Sequence, residues 1–131
     1  MNGADYQRLA MRTNDRKATD RLAQKVNEWM AGSPDGIDIG GVLNGVLGLT
    51  GESGEFADII KKWIFHQKEF DVEHAKKELG DVMWYIAMIC ESFDWSLDEI
   101  MGLNIDKLIA RYPIDEGFTV ERANHRKEGD V

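Results

Sequence analysis

The sequence predicts an all-α protein, an antiparallel bundle of about four to five helices, and three observations carry that expectation. Apolar residues recur three and four apart through most of the chain, which is the spacing of one helix face. Only two prolines, Pro34 and Pro113, interrupt the 131 residues, so long helices fit between them. The apolar–polar alternation of half-buried strands is weak everywhere. The length suits one domain, and an apolar content of 43% suffices for a core.

The elements follow in order. Residues 5–13 read as a short helix through Tyr6, Leu9 and Ala10. A second helix, 18–30, places Leu22, Val26, Trp29 and Met30 on one face, with Thr19 or Asp20 as its cap. It stops before Gly32-Ser33-Pro34-Asp35-Gly36, a strong turn signal. A third helical pattern covers 41–66, and its first half carries Gly45, Gly48, Gly51 and Gly54. Each interior glycine costs about 1 kcal/mol relative to alanine. The run therefore signals either a kink near Thr50 or close approach of a neighbouring helix or ligand.

A fourth helix runs from about 71 to 92, with Asp71 as cap and Glu73 in the first turn. A fifth, 96–111, begins with Ser96 and Glu99 in capping-box positions and ends at Pro113. These helices form one domain, 1–113. Residues 114–131 form a polar tail, expected to be extended or partly disordered.

Composition excludes several function classes. A net charge of −8 argues against binding nucleic-acid backbones, which requires clustered Lys and Arg. It does not exclude a phosphate substrate, because carboxylates hold a hard cation and the cation holds the phosphate. The single cysteine, Cys90, sits in an apolar run and reads as a small buried hydrophobe rather than a nucleophile. No apolar run approaches the ~18 residues of a membrane span, and the N-terminus has no apolar signal core. The expectation is a soluble cytoplasmic protein that binds neither membrane nor nucleic acid.

Two helices each carry an acidic pair three residues apart: Glu52 with Glu55, and Glu78 with Asp81. Residues three apart share a helix face. The short link at 67–70 favours an antiparallel hairpin that brings the two pairs together. Isolated acids are usually solvated, but the helical wheel argues otherwise here. Glu52 projects between Ile59 and Trp63, inside the apolar stripe. Glu55 lies at its edge, Glu78 lies beside Val82 and Ile89, and Asp81 lies further round, past Tyr85. Converging carboxylates repel one another, and a divalent cation removes that conflict. All-oxygen ligands select Mg²⁺, with Mn²⁺ as a substitute, over zinc or iron. Such an ion also suits phosphate chemistry, since it bridges to substrate and acidifies a bound water.

The stretch Leu47-Gly48-Leu49-Thr50-Gly51-Glu52-Ser53-Gly54-Glu55, followed by Lys77-Glu78-Leu79-Gly80-Asp81-Val82-Met83-Trp84-Tyr85, resembles the signature of the MazG-like nucleotide pyrophosphohydrolases, an E-x-x-E pair and then an E-x-x-D pair. A third element, Asn104-Ile105-Asp106-Lys107-Leu108 with Arg111-Tyr112-Pro113, is similar to that family's N-x-x-K-L…R-Y-P. The resemblance extends over about residues 6–113. It implies Mg²⁺-dependent hydrolysis of a nucleoside triphosphate to monophosphate and pyrophosphate, and a homodimer or dimer of dimers. It also implies that the four carboxylates hold the metal and that Glu55 activates the attacking water.

Around that centre, Asn104, Lys107 and Arg111 share a face of the fifth helix. They read either as phosphate and sugar contacts or as a basic C-terminus complementing the helix dipole, and the resemblance favours the first. Lys61 is either a phosphate contact or solvated; Lys62 and Asp58 read as solvent-facing. Tyr85 is the best candidate for stacking on a base. His66, His74 and His125 share no metal-binding spacing and read as structural or exposed. A di-iron bundle would need Glu-x-x-His motifs, and none occurs. The remaining alternative is a non-catalytic helical assembly module derived from the same family.

Overall fold

The computed structural model describes residues 1–34 and 36–125. It contains six α-helices and, among the described residues, no strand: α1 (Gly3–Ala10), α2 (Ala18–Met30), α3 (Ile39–Phe65), α4 (Val72–Phe93), α5 (Leu97–Arg111) and α6 (Val120–Asn124). The all-α expectation holds.

Local capping chemistry explains most of the boundaries. α1 starts two residues earlier than the sequence suggested because the Asn2 side chain accepts from the Asp5 N–H. Its expected last turn is a 3₁₀ turn, Met11–Thr13. α2 has the expected bounds but not the expected cap. Lys17 occupies the cap position without a side-chain bond, and Thr19 and Asp20 already lie within the first turn. Asp15 instead accepts from the Lys17 N–H at 3.0 Å and pairs with Arg21. α3 begins at Ile39 because Asp38 accepts from the Gly41 N–H at 3.0 Å. α4 is capped by Asp71, which accepts from the His74 N–H at 3.0 Å. It ends at Asp94, whose left-handed φ of 57° turns the chain. Ser96 caps α5 by accepting from the Glu99 N–H at 3.4 Å.

α3 is continuous over 27 residues. The glycines therefore do not mark a break at Thr50, whose hydroxyl donates to the Val46 carbonyl at 3.0 Å within an unbroken helix. Two of them, Gly45 and Gly48, together with Gly41 outside that run, mark close approach to α4. A Cβ on Gly41 would overlap the Ser92 hydroxyl, one on Gly45 would lie 2.6 Å from Ile89 Cγ1, and one on Gly48 would overlap the Tyr85 ring. Gly51 and Gly54 face open space instead.

The pairings Gly41–Ser92, Gly45–Ile89 and Gly48–Tyr85 run in opposite directions along the two helices, so α3 and α4 form an antiparallel hairpin. A backbone bond from the Asp38 N–H to the Ser92 carbonyl, 3.1 Å, ties its open end. At the closed end Gln67 adopts a positive φ of 53°, and the Trp63 and Phe70 rings meet at 4.9 Å.

This hairpin is the extensive helix–helix interface of the chain; α2 touches α3 lightly, and α5 forms no comparable interface. Buried apolar residues among the described ones are limited to Ala75 and Cys90, which bears out the reading of Cys90 as a small buried hydrophobe. The described part of the tail beyond Pro113 carries a short helix, α6. Thr119 caps α6 by accepting from the Arg122 N–H. Arg122 also pairs with Glu116, and the Tyr112 and Phe118 rings lie 5.4 Å apart. The rest of the tail, 126–131, lies outside the described residues. No described helix is long and apolar enough to cross a membrane.

Candidate metal centre

The α3–α4 register that seats Ile89 on Gly45 and Tyr85 on Gly48 carries on toward the link. One turn further along α3, Glu52 meets Glu78 and Asp81 of α4. Each of these three offers a carboxylate oxygen, and the three atoms lie within 4.8 Å of one another. Glu52 and Glu78 are half-buried and Asp81 is exposed. Glu55, one turn beyond Glu52, is exposed. Its charge reaches Glu52, but its carboxylate is not in the trio. Asp81, which the wheel placed furthest from the stripe, therefore stands nearer the centre than Glu55. A wheel describes one helix, whereas the meeting point depends on how two helices are set against each other.

The electrostatics record the crowding. The Glu52 carboxyl is held above the usual carboxylate range, first by the hydrogen bond it shares with Glu78, then by partial burial, and then by the like charges of Glu78, Asp81 and Glu55. Two carboxylates share a hydrogen bond only with a proton between them. The same donor set fits a hard cation. Oxygens around a six-coordinate Mg²⁺ lie roughly 3.0–4.2 Å apart, and small side-chain rotations close a spread of 4.8 Å onto that range.

A pH dependence follows. A carboxyl with a raised folded-state pKa stabilises the fold fully below its unfolded value, about 4.3, and loses that contribution as pH rises through the folded value. With chelator present, stability from this group should decline from the ordinary carboxylate range upward, toward neutrality. Thermal melts across pH should show this decline in the wild type and not in Glu52→Gln.

The surrounding residues are placed as follows. Lys61 and Lys62 both pair with Asp58, at 3.4 and 2.5 Å. Asp58 is held below the usual range, chiefly by the hydrogen bond from Lys62. Asp58 and Lys62 are thus a half-buried pair rather than independent solvated groups. The half-buried Tyr85 ring lies on Gly48 and edge-on to Trp84 at 5.0 Å, so part of its surface serves helix packing. Asn104, Lys107 and Arg111 lie on α5, which has no extensive interface with α3 or α4. A concavity of about 430 Å³ between α1 and Arg16, lined by Ala4, Gln7, Arg8, Met11, Arg12 and Arg16, shares no residue with the trio.

Sequence reasoning missed one neighbour. His74 Nε2 lies 2.8 Å from Glu78 Oε1. The signal was present: His74 and Glu78 are four apart on α4, the spacing at which helix side chains meet.

A profile of the MazG nucleotide pyrophosphohydrolase domain matches residues 41–114. The chain belongs to this family. The MazG match spans α3, α4 and α5 and contains every carboxylate of the centre, together with Asn104, Lys107 and Arg111. It begins at Gly41, so α1 and α2 lie outside it. Gene 37 protein of Mycobacterium phage L5 is 36% identical over 86 residues, covering 62% of this chain and 73% of the phage protein. No solved structure matches. MazG domains are typically metal-dependent, in keeping with the acidic cluster.

Proposed function

We propose that this protein hydrolyses a nucleoside triphosphate, ribo- or deoxy-, to the monophosphate and pyrophosphate, with Mg²⁺ held by Glu52, Glu55, Glu78 and Asp81. The observation that carries the reading is the convergence of Glu52, Glu78 and Asp81 within 4.8 Å inside a MazG domain. When bound, the ion would supply Lewis acidity at the phosphates and an acidified water.

The chain's own residues supply the rest. Glu52, whose carboxyl is held above the usual range beside Glu78, would ligate the ion only when deprotonated, so metal uptake would compete with protonation. Glu55, exposed at the edge of the centre, takes the proton of the attacking water. Lys61, which pairs with Asp58 at 3.4 Å, offsets phosphate charge. Asn104, Lys107 and Arg111 hold phosphate and sugar, and Tyr85 offers an edge for the base.

The same proposal includes a second copy of the chain, supported by surface area. The accessible surface is 10866 Å², against roughly 7,000 Å² for a compact monomer of this mass. The excess, roughly 3,900 Å², is larger than one partner's share of a standard interface, about 800 Å². Leu47, Ile64, Met83 and Trp84 of the hairpin and Leu103 and Ile105 of α5 are each more than half exposed. Covering these faces by dimerisation, or by a dimer of dimers, would also bring α5 of one chain toward the carboxylates of another.

Incubation with a panel of nucleoside and deoxynucleoside triphosphates plus Mg²⁺ tests the chemistry. Pyrophosphate and a monophosphate are the expected products. Folded protein that turns over none of the panel would overturn the enzyme reading and leave an assembly module. Light scattering tests the assembly: a mass of two or four chains is expected, and a monomer at micromolar concentration would sink it.

A further inference from the structure

We propose that His74 is a positioning residue for the metal centre, holding the Glu78 carboxylate in the orientation that ligation requires. The proposal rests on the metal reading given above.

Glu78 is the hinge of the cluster. Its side chain is 14% exposed, and its carboxylate meets those of Glu52 and Asp81 within 4.8 Å across the two helices. A glutamate on a helix surface otherwise samples many rotamers. Here it is held from within its own helix. His74 Nε2 lies 2.8 Å from Glu78 Oε1, within α4. An ionised carboxylate only accepts, so the imidazole donates.

The histidine is itself anchored. Its backbone N–H donates to the Asp71 cap at 3.0 Å, which fixes the first turn of α4 and the point from which the ring reaches forward. Cap, imidazole and carboxylate thus form a chain from the end of the hairpin link to the cluster. A carboxylate has about four acceptor positions, so accepting from His74 leaves Glu78 free to bind a cation. The arrangement matches a general feature of metal sites, in which a hydrogen bond from a neighbour orients the ligating group, and its loss costs 10–100-fold in metal affinity.

A merely structural role predicts something different. The His74 side chain is 54% exposed, and an exposed i,i+4 pair adds little to helix stability. Removing it should leave the metal-free fold intact while weakening metal uptake.

The experiment is a Mn²⁺ titration of the full chain, followed by the electron paramagnetic resonance signal of free Mn²⁺, with circular dichroism of the metal-free protein in parallel. In His74→Ala, Mn²⁺ affinity should fall 10–100-fold with unchanged helix content and melting temperature. His74→Gln, which retains an N–H donor of similar reach, should recover a substantial part of the loss. Wild-type affinity in His74→Ala overturns the proposal alone. A loss that Gln does not recover also overturns it, pointing to the imidazole as a direct ligand. A wild-type protein that takes up no Mn²⁺ overturns the metal reading and this proposal together.

Discussion

Glu52→Gln and Glu78→Gln should each lower metal-dependent pyrophosphate release by more than about 100-fold, since loss of a group that only orients a ligand already costs 10–100-fold. Glutamine keeps the size and the helix preference of glutamate, so circular dichroism should report unchanged helix content. What changes is charge. Glu52 is crowded by Glu78, Asp81 and Glu55, and its carboxyl is the one whose protonation relieves that crowding. The metal-free Glu52→Gln protein should therefore melt at or above the wild-type temperature at neutral pH. The wild type should gain thermal stability on addition of Mg²⁺, because an ion that binds only the folded state stabilises it by mass action. Glu52→Gln should gain much less. Pyrophosphate release at saturating Mg²⁺ and paired melts with and without the ion check both halves. Full activity in both variants would move the site elsewhere. An unchanged wild-type melting temperature at saturating Mg²⁺ would remove the electrostatic account of the cluster.

The second large effect concerns the hairpin. Gly48→Leu should destabilise the protein by about 1–3 kcal/mol, the usual cost of overpacking a tight contact. Even a Cβ at this position overlaps the Tyr85 ring, and Tyr85 is itself set edge-on against Trp84 at 5.0 Å. The better helix preference of leucine returns only about 0.8–1 kcal/mol. Gly51→Ala is the control. It lies one turn along the same helix, a Cβ there meets nothing within 4 Å, and it should stabilise by up to about 1 kcal/mol. In a domain of this size each kcal/mol shifts the melting temperature by roughly 4 °C, so the two variants should move in opposite directions by measurable amounts. Equal shifts of the same sign would mean that the helices are not set together at Gly48.

The tight glycine contacts and the acidic trio are one feature seen at two points. Close approach at Gly45 and Gly48 brings the helix axes near enough for short carboxylate side chains to meet across them. Splaying the hairpin should therefore weaken metal binding as well as stability.

Much of this was legible without coordinates because it depends on neighbours in sequence. Helix periodicity, the Asp71 and Ser96 caps, and the placement of Glu52 within an apolar stripe are set within one or two turns. The MazG-like acidic and glycine pattern of Leu47 to Glu55 carried the family resemblance for the same reason. The link between His74 and Glu78 was equally local, at spacing i, i+4. The cap of α2 was misjudged by a few residues, since Asp15 satisfies the helix start from outside it.

Other features depended on the distance and register between helices, which a wheel does not contain. The sequence by itself determined that two helices carry paired carboxylates on faces they share with apolar residues. Only the tertiary structure decided which glycines are contacts and which face open space, that α3 runs unbroken through Thr50, and that Glu52, Glu78 and Asp81 meet within 4.8 Å. The physical reason is that helix formation is governed by bonds four residues apart, whereas the meeting of carboxylates is governed by how closely two backbones pack, and here Gly45 and Gly48 set that distance.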